Sequence, residues 1–294
     1  MKKIISILVL LIILIGPAIA EKRNTYLYEE AFGARALVLG GVVGSRGVNS
    51  VNTNPANLVL KQGGWEFLIG GEQKFTLNNW RENQFGFVLP TWQRFRLGGF
   101  YIQNLVLLSE TSLIEQEQVD NLWSATVYGI SGGILLRPGL CLGVSLSNLE
   151  MVCNVDSNEL VGSVTLANLG LGLKKNNWDF GFAAHKIPLA GDLSTDPDYH
   201  FGMAYRLGNT ILQGRAIFYK PPEEDKLEPD LNIGLEMKYL QGVVFRIGIT
   251  KGPGDEMANL NAGLAVNRGP LGLEYAYSAR EVGENHFFCT TLKF

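Results

Sequence analysis

The C-terminal part of the chain alternates apolar and polar residues with a period of two. From Leu231 to Tyr239 every odd position is apolar, and the same alternation recurs in the segments that follow as far as Phe294. This is the repeat of β-strands, whose successive side chains point to opposite faces of a sheet. Each segment has about 8 to 11 residues, the length that a tilted strand needs to cross a bilayer.

Charged residues share the polar side of these segments. An ionised side chain would be costly in the dry core of a soluble β-sandwich, but it is ordinary in the water-filled lumen of a barrel. A sandwich or adhesin, the open alternative, would also expose apolar bands to water. We therefore predict an all-β fold, a closed antiparallel transmembrane β-barrel. Its predicted lumen-facing polar residues are Arg206, Arg215, Glu236, Lys238, Arg246 and Glu274.

The N-terminus predicts export. Lys2 and Lys3 precede an apolar run from Ile4 to Ile15, and Ala18-Ile19-Ala20 offers a cleavage site. We interpret residues 1–20 as a signal peptide. A membrane anchor is the alternative, although the run is short for a span. No later stretch approaches roughly 18 apolar residues, so the sequence excludes a helical membrane protein.

The composition indicates a large surface that does not face water. Charged residues make up only 18% of the chain, which is low for a soluble domain. Without Lys2 and Lys3, 23 basic residues oppose 28 acidic ones, a net charge of −5 (23 − 28). No basic patch stands out, so nucleic acid is not an expected partner.

Fourteen strand-like segments follow residue 62, and an even number suits a closed barrel with both ends on the periplasmic side. Longer polar stretches alternate with tight turns and predict extracellular loops, at 110–121, 154–159, 190–199, 221–229 and 251–257. Segments three, four and six carry apolar residues on both sides, which leaves their facing open. The predicted strands are 65–75, 83–90, 94–108, 122–137, 140–149, 160–173, 177–187, 199–207, 210–219, 230–240, 243–250, 258–267, 270–278 and 285–294.

Residues 21–62 lack a strand pattern, whereas residues 63–294 form the predicted barrel. A short helix is expected around 29–39, and the Asn-rich passage after it is typical of turns. A segment of this length ahead of a barrel needs space, and we predict that it plugs the lumen as a hatch. The predicted hatch turn contains Asn52, Asn54, Pro55, Ala56 and Asn57.

Aromatic residues lie near the predicted strand ends, where membrane barrels carry interfacial girdles. These residues are Trp65, Trp92, Trp123, Trp178, Tyr219 and Tyr239. The last strand ends in an aromatic residue on its apolar side. We interpret Phe288, Leu292 and Phe294 as the signal that a barrel-insertion machinery recognises.

Two passages near the N-terminus resemble known proteins. Ala34 to Gly41, ARALVLGG, resembles the "ARALGMGGA" opening, and Asn54 to Leu58, NPANL, resembles the "NPAGL" signature. FadL-type outer-membrane transport proteins and PorV/PorQ proteins share both. Tyr275 to Ser278, YAYS, followed by a closing strand that ends in Phe294, is similar to the "YAY(S/T)P" ending of the PorV/PorQ group. The chain therefore resembles the FadL-type superfamily, and within it the PorV/PorQ proteins most closely.

The resemblance implies a fourteen-stranded barrel in the outer membrane, with an inward-folded hatch. It also implies passage of a small hydrophobic molecule, or support for the secretion of a cargo protein. A structural or surface-binding barrel without transport is the alternative. The chain departs from the family pattern at Asn57, where Gly is usual, and at Asn49, Asn52 and Thr53, which replace acidic and aromatic residues. Asparagine tolerates a left-handed backbone, so the turn can survive the replacement at Asn57.

A hydrophobic route would need apolar side chains on the lumen wall. Phe100, Val127, Leu135 and Leu169 are the candidates to line it. Packing of the same side chains against the hatch is the favoured alternative.

The remaining reactive residues give no strong chemical motif. His185 lies near Asp179 and on a strand that follows the one with Ser163, but no nucleophile motif surrounds a serine, so we do not expect an enzyme. The histidines lack metal-ligand spacing, and we expect no cofactor. A disulfide bridge between Cys141 and Cys153 across a hairpin stays open.

Overall fold

Fourteen antiparallel strands close into one barrel in the computed structural model of the chain. Each strand pairs with its neighbours in sequence, and β1 pairs with β14 to close the ring. The predicted all-β fold, a closed antiparallel barrel of fourteen strands, is confirmed. The strands are β1 (Glu66–Phe75), β2 (Asn79–Val88), β3 (Phe95–Glu110), β4 (Val119–Arg137), β5 (Leu140–Val155), β6 (Asn158–Lys175), β7 (Trp178–Gly191), β8 (Asp198–Leu207), β9 (Thr210–Tyr219), β10 (Glu228–Tyr239), β11 (Val243–Lys251), β12 (Asn259–Arg268), β13 (Leu271–Arg280) and β14 (Gly283–Lys293).

The structure describes residues 32–43, 45–60, 63–75, 79–110, 119–155, 158–193, 195–219, 228–252, 258–280 and 283–294. The predicted signal peptide at 1–20 and the rest of the chain before residue 32 lie outside the described residues. Most residues of the predicted loops at 110–121, 221–229 and 251–257 also lie outside the described residues. These assignments stay predictions.

The barrel wall has an apolar outer face and a small or polar inner face. On β11 the side chains of Phe245, Ile247 and Ile249 are 44%, 47% and 52% exposed, whereas Arg246 and Gly248 between them are buried. Every strand carries at least one exposed large apolar residue of this kind. Alternation along a strand sends successive side chains to opposite faces, so the exposed set marks the exterior.

The structure resolves the facing of strands three, four and six. Phe100 and Val127 are buried on the inner face, whereas their neighbours Tyr101 and Tyr128 are exposed. On β6 the buried Asn168 and Gly170 alternate with the half-buried Leu169 and Leu171. Leu169 therefore lies on the outer face, and its prediction as a residue of the lumen wall was wrong.

Strands β3 to β6 have 16 to 19 residues and are longer than most of the others. Pairing between β5 and β6 continues up to Val155 and Asn158, so the loop predicted at 154–159 was wrong. Polar residues remain in strands there because the paired backbone satisfies its own hydrogen bonds. An apolar–polar pattern does not detect such an extension.

Cys141 and Cys153 cannot form a disulfide bridge. Both lie on β5, 12 residues apart (153 − 141). This separation corresponds to about 40 Å along a strand, whereas bridged Cα atoms are roughly 5 to 6 Å apart. Cys141 is a free, buried thiol whose Sγ contacts the Gly172 carbonyl at 3.4 Å.

Short helices precede the barrel. Helix α1 (Ala34–Leu39) is followed by two 3-10 helices, Gly47–Ser50 and Pro55–Leu60. Gly40 ends α1 with a φ of 73° and donates its N–H to the Ala36 carbonyl at 2.8 Å, a conformation that glycine adopts at little cost. None of the helices described is long and apolar enough to cross a membrane.

The aromatic residues at strand ends concentrate at one rim. Trp65, Trp92, Trp178 and Tyr239 are exposed, and each lies where a strand meets a short connection on the side that holds the start of β1 and the end of β14. Tyr219 is half-buried at the opposite end of β9, and the side chain of Trp123 lies outside the described residues.

Phe294 tests the role of the last strand in assembly. Its side chain is 71% exposed, and its N–H donates to the Trp65 carbonyl at 2.9 Å, beside the β1–β14 closure. We expect deletion of Phe294 to lower the amount of assembled barrel several-fold while export continues. Heat-modifiable migration on gels measures the assembled fraction. Phe245→Leu, which retains an apolar side chain on the outer face of β11, is the control, and normal assembly without Phe294 would contradict the assigned role.

Candidate functional site

The N-terminal segment, defined here as residues 32–43 and 45–60, contacts the inner face of the barrel on several sides. Helix α1 packs against β10 to β14, Gly47–Ser50 packs against β1 and β2, and Pro55–Leu60 packs against β3 to β6. Nearly all of its side chains are buried. Because these strands belong to different parts of the ring, the N-terminal segment is held between separate areas of wall.

The Asn-Pro-Ala turn is held by the side chain of Asn54. Its Oδ1 accepts the Ala56 N–H at 3.2 Å, and its Nδ2 donates to the Val42 carbonyl at 3.1 Å and to the Leu171 carbonyl of β6 at 3.3 Å. One amide therefore closes the turn and joins it to both the N-terminal segment and the wall. The predicted turn residues Asn52, Asn54, Pro55, Ala56 and Asn57 are all buried.

The turn does not require a left-handed backbone at Asn57. This residue belongs to the 3-10 helix Pro55–Leu60 and is not among the residues with positive φ. Its Nδ2 donates to the Val42 carbonyl at 2.9 Å, and its N–H donates to the Asn54 carbonyl at 3.0 Å. The asparagine therefore contributes a side-chain hydrogen bond that the glycine of the related signature cannot make.

Glycines allow the N-terminal segment to approach the wall at backbone distance. A Cβ at Gly143 of β5 would lie 2.2 Å from the Ala56 nitrogen, and a Cβ at Gly248 of β11 would lie 2.1 Å from the Val38 carbonyl oxygen. Both distances are far inside van der Waals contact. The two strands therefore need glycine at these positions, since a side chain would occupy the space of the N-terminal backbone.

A buried ionic network joins α1 to the wall. Arg35 Nε and Arg246 Nε donate to the same oxygen of Glu236, at 2.9 and 3.0 Å, and Arg246 Nη1 donates to Glu274 at 2.7 Å. Arg35 Nη2 also donates to Gln213 Oε1 at 3.2 Å. The four ionised groups alternate in sign, so each buried charge has an oppositely charged neighbour. Sequence reasoning identified Glu236, Arg246 and Glu274 but not their partner Arg35.

Three further ion pairs lie near the rim that holds the chain ends. Arg46 Nη2 and Arg206 Nε donate to Asp179 Oδ2 at 3.1 and 3.2 Å, which links the N-terminal segment to β7 and β8. Arg96 is buried and donates to Glu66 at 2.8 Å and to the Leu58 carbonyl at 3.4 Å. Strand alternation places Glu66, Arg96 and Asp179 on the inner face, but it does not reveal their partners.

The other predicted site residues occupy different settings. Arg215 Nη2 lies 3.5 Å from Asp230 Oδ1. Lys238 shares the alternation of Glu236 but is exposed at the end of β10. Phe288 and Phe294 are exposed on the outer face, and Leu292 is half-buried there.

Part of the inner face of β3, β4 and β5 is apolar. Phe100 and Val127 belong to one buried cluster with Phe32 and Leu58 of the N-terminal segment. The rings of Phe32 and Phe100 meet edge to face at 6.3 Å, and Leu135 packs against a second cluster that contains Ala56 and Val59. Phe100, Val127 and Leu135 therefore pack on the N-terminal segment, as the favoured alternative predicted.

The residues considered for hydrolysis are not brought together. Asp179 binds the two arginines, and it lies six residues (185 − 179) from His185 along β7, about 20 Å in a strand. Ser163 is half-buried on the face opposite to the buried Val164. His185 instead stacks on His200 of β8, with ring centroids 4.2 Å apart. Among the side chains that the structure describes, no three His, Cys, Asp or Glu residues are grouped to hold a metal ion.

Gly143→Ala tests the close contact between the turn and β5. The added methyl group meets the backbone of Ala56, so we expect the turn to shift and the free energy of unfolding to fall by about 1 to 3 kcal/mol, as for overpacked cores. Chemical unfolding followed by tryptophan fluorescence measures the change. Gly214→Ala is the matched control, since a Cβ there would lie 3.8 Å from its nearest atom, the Asn232 oxygen. Equal stability of both variants would contradict the contact.

Comparison with protein-family models and with curated proteins finds no match. Solved structures do match: the P. putida toluene transporter TodX has a TM-score of 0.71 at 12% identity, covering 90% of this chain and 99% of that one. The monoaromatic hydrocarbon channel CymD gives 0.66 at 12% identity, covering 90% and 98%. A Pseudomonas aeruginosa FadL homologue gives 0.63 at 10%, covering 90% and 98%. The chain therefore shares the fold of FadL-like channels.

Proposed function

We propose that this protein is an outer-membrane channel for small hydrophobic molecules, with the N-terminal segment as its hatch. The observation that carries the proposal is a closed barrel of the TodX and CymD fold, matched over nearly the full length of those channels. TodX is a toluene transporter and CymD a monoaromatic hydrocarbon channel. Their cargo supplies the substrate class that we propose for this chain.

The outer face supports a membrane location. Exposed large apolar side chains occur on all fourteen strands, and a surface of this extent in water would promote association. The closed ring leaves no unpaired strand edge, which is the arrangement that a β-sheet needs in hydrocarbon. A bilayer therefore suits both the side chains and the backbone of the wall.

The contacts of the N-terminal segment support a gate. Its backbone and side chains are bonded to the wall by Asn54, by the Arg35–Glu236 pair and by the Arg46–Asp179 pair. A solute that passes along the lumen has to displace these contacts. A hydrophobic solute that separates the N-terminal segment from the wall disrupts the apolar cluster around Phe32 and Phe100. The solute can then pack against the same side chains and replace the lost contacts.

Deletion of the gene tests the transport proposal. We expect cells that lack the protein to take up a labelled monoaromatic hydrocarbon several-fold more slowly, and to recover uptake with the wild-type gene. The uptake of a small hydrophilic solute is the control. The PorV/PorQ-like alternative predicts unchanged uptake and a loss of cargo proteins from the cell surface, while a purely structural barrel predicts that neither changes.

Glu236→Gln tests the hatch. The substitution leaves Arg35 and Arg246 beside a neutral amide, and breaking a buried ion pair costs about 3 to 5 kcal/mol. We expect lower resistance to unfolding and faster entry of a hydrophobic dye into proteoliposomes that contain the variant. Lys238→Gln, a similar change at an exposed position two residues along β10, should leave both properties near those of the wild type. Unchanged dye entry in Glu236→Gln would contradict a gating role for this contact.

A further inference from the structure

The strand register places Gly71 of β1 at the centre of an outer-face patch. The patch has nine outward positions, three each on β14, β1 and β2. Gly71 pairs with Phe288 on one side and with Asn83 on the other. The next outward row toward the chain-end rim, the rim with the start of β1 and the end of β14, places Ile69 between Thr290 and Phe85. The next row toward the opposite rim places Gln73 between His286 and Arg81. Neighbouring strands are about 4.8 Å apart, and alternate residues along one strand are about 7 Å apart. Eight side chains at these spacings therefore surround Gly71, which has none.

A groove with a volume of about 540 Å³ occupies this part of the molecule. Its lining includes Gly71, Gln73, Arg81, Asn83, His286 and Phe288. A Cβ at Gly71 would meet only the Glu82 carbonyl at 3.0 Å and Asn83 Oδ1 at 3.7 Å. The missing side chain therefore leaves a hollow in the outer face.

The groove lies where the outer face changes from apolar to polar. Ile69, which is 61% exposed, lies at its apolar end, on the side of Gly71 toward the chain-end rim, and Phe288, which is 62% exposed, lies beside Gly71. Gln73 and Arg81 lie at its polar end, toward the opposite rim. A ligand that fits this surface has an apolar part and a polar part, oriented like a lipid in one leaflet.

Arg81 is the cation available to that polar part. It is exposed and makes no hydrogen bond or ion pair with any other residue that the structure describes. The amides of Gln73 and Asn83 are its neighbours on the same face and offer further N–H donors. A guanidinium binds a phosphate through two parallel hydrogen bonds.

The other ionisable groups around the groove are already engaged. His286 Nδ1 lies 2.9 Å from the Tyr275 hydroxyl, and His286 Nε2 lies 3.6 Å from Glu284. Glu72 and Glu82, which also line the groove, have buried side chains on the inner face, where Gln84 donates to Glu82. The Glu72 and Glu82 carboxylates therefore point away from the outer position of Arg81, and the exposed Glu284 on the outer face pairs with His286.

We infer that this groove binds a membrane lipid with a phosphate headgroup, whose phosphate contacts Arg81 and whose acyl chain lies over Phe288 and Ile69. The inference rests on the membrane location proposed above, but not on transport. Charge complementarity selects the phosphate, since the Arg81 guanidinium, which has no partner among the described residues, borders an apolar surface. The bound lipid would stabilise the pairing of β14 with β1, because it contacts both strands and β2.

Native mass spectrometry of the full chain in neutral detergent tests the site. With dioleoyl phosphatidylglycerol as the probe, we expect the wild type to retain one lipid, and Arg81→Ala to bind at least about tenfold more weakly because a charged hydrogen-bonding partner is lost. Arg268→Ala, which removes an exposed arginine next to the β12–β13 turn, should retain the lipid like the wild type.

Five outcomes would overturn the inference. Equal retention by the wild type and Arg81→Ala removes the role of Arg81. Equal retention of dioleoylglycerol, which has no phosphate, reduces the groove to an apolar surface. Displacement of the lipid by an equimolar amount of inorganic phosphate assigns the site to the free ion. A chain that retains no lipid but migrates as a heat-modifiable barrel contradicts only this site, whereas a chain soluble without detergent contradicts the proposed function as well.

Discussion

The hydrogen bonds between β1 and β14 are the constraint on which the rest of the structure depends. Ten residue pairs from Glu66–Lys293 to Phe75–Glu284 join the two strands, and they convert a long antiparallel sheet into a ring without free edges. An open sheet of this length would expose backbone donors and acceptors along two edges. Once the ring is closed, each strand has one face outside and one inside, which separates the apolar residues from the charges.

The charges inside the ring are arranged in pairs that join distant parts of the sequence. Arg35 and Glu236 are 201 positions apart, yet they form a contact of 2.9 Å. Burial of such groups is costly unless each is paired, so the network stabilises mainly the relative positions of α1 and β10 to β13. The wall glycines have the complementary role, since they let the N-terminal backbone approach where no charge is needed.

The sequence predicted the parts that depend on local patterns. Alternation of apolar and polar residues gave the strand number and the inward position of Glu236, Arg246 and Glu274, because side-chain direction follows from strand geometry alone. Patterns failed where polar residues remain paired, as at the ends of β5 and β6, and where two apolar residues adjoin. Patterns also did not show that Asn57 lies in a 3-10 helix with its side chain bonded to the Val42 carbonyl.

The amino-acid sequence by itself therefore determined a chain of amphipathic strands that close into a barrel, since a period of two is encoded residue by residue. Only the tertiary structure decided which inner groups meet. Arg35, Arg46 and Asn54 bind residues more than one hundred positions away. The hollow at Gly71 likewise depends on the register of three strands, two of them at opposite ends of the barrel sequence. Such contacts are set by ring closure and register, and no local pattern carries that information.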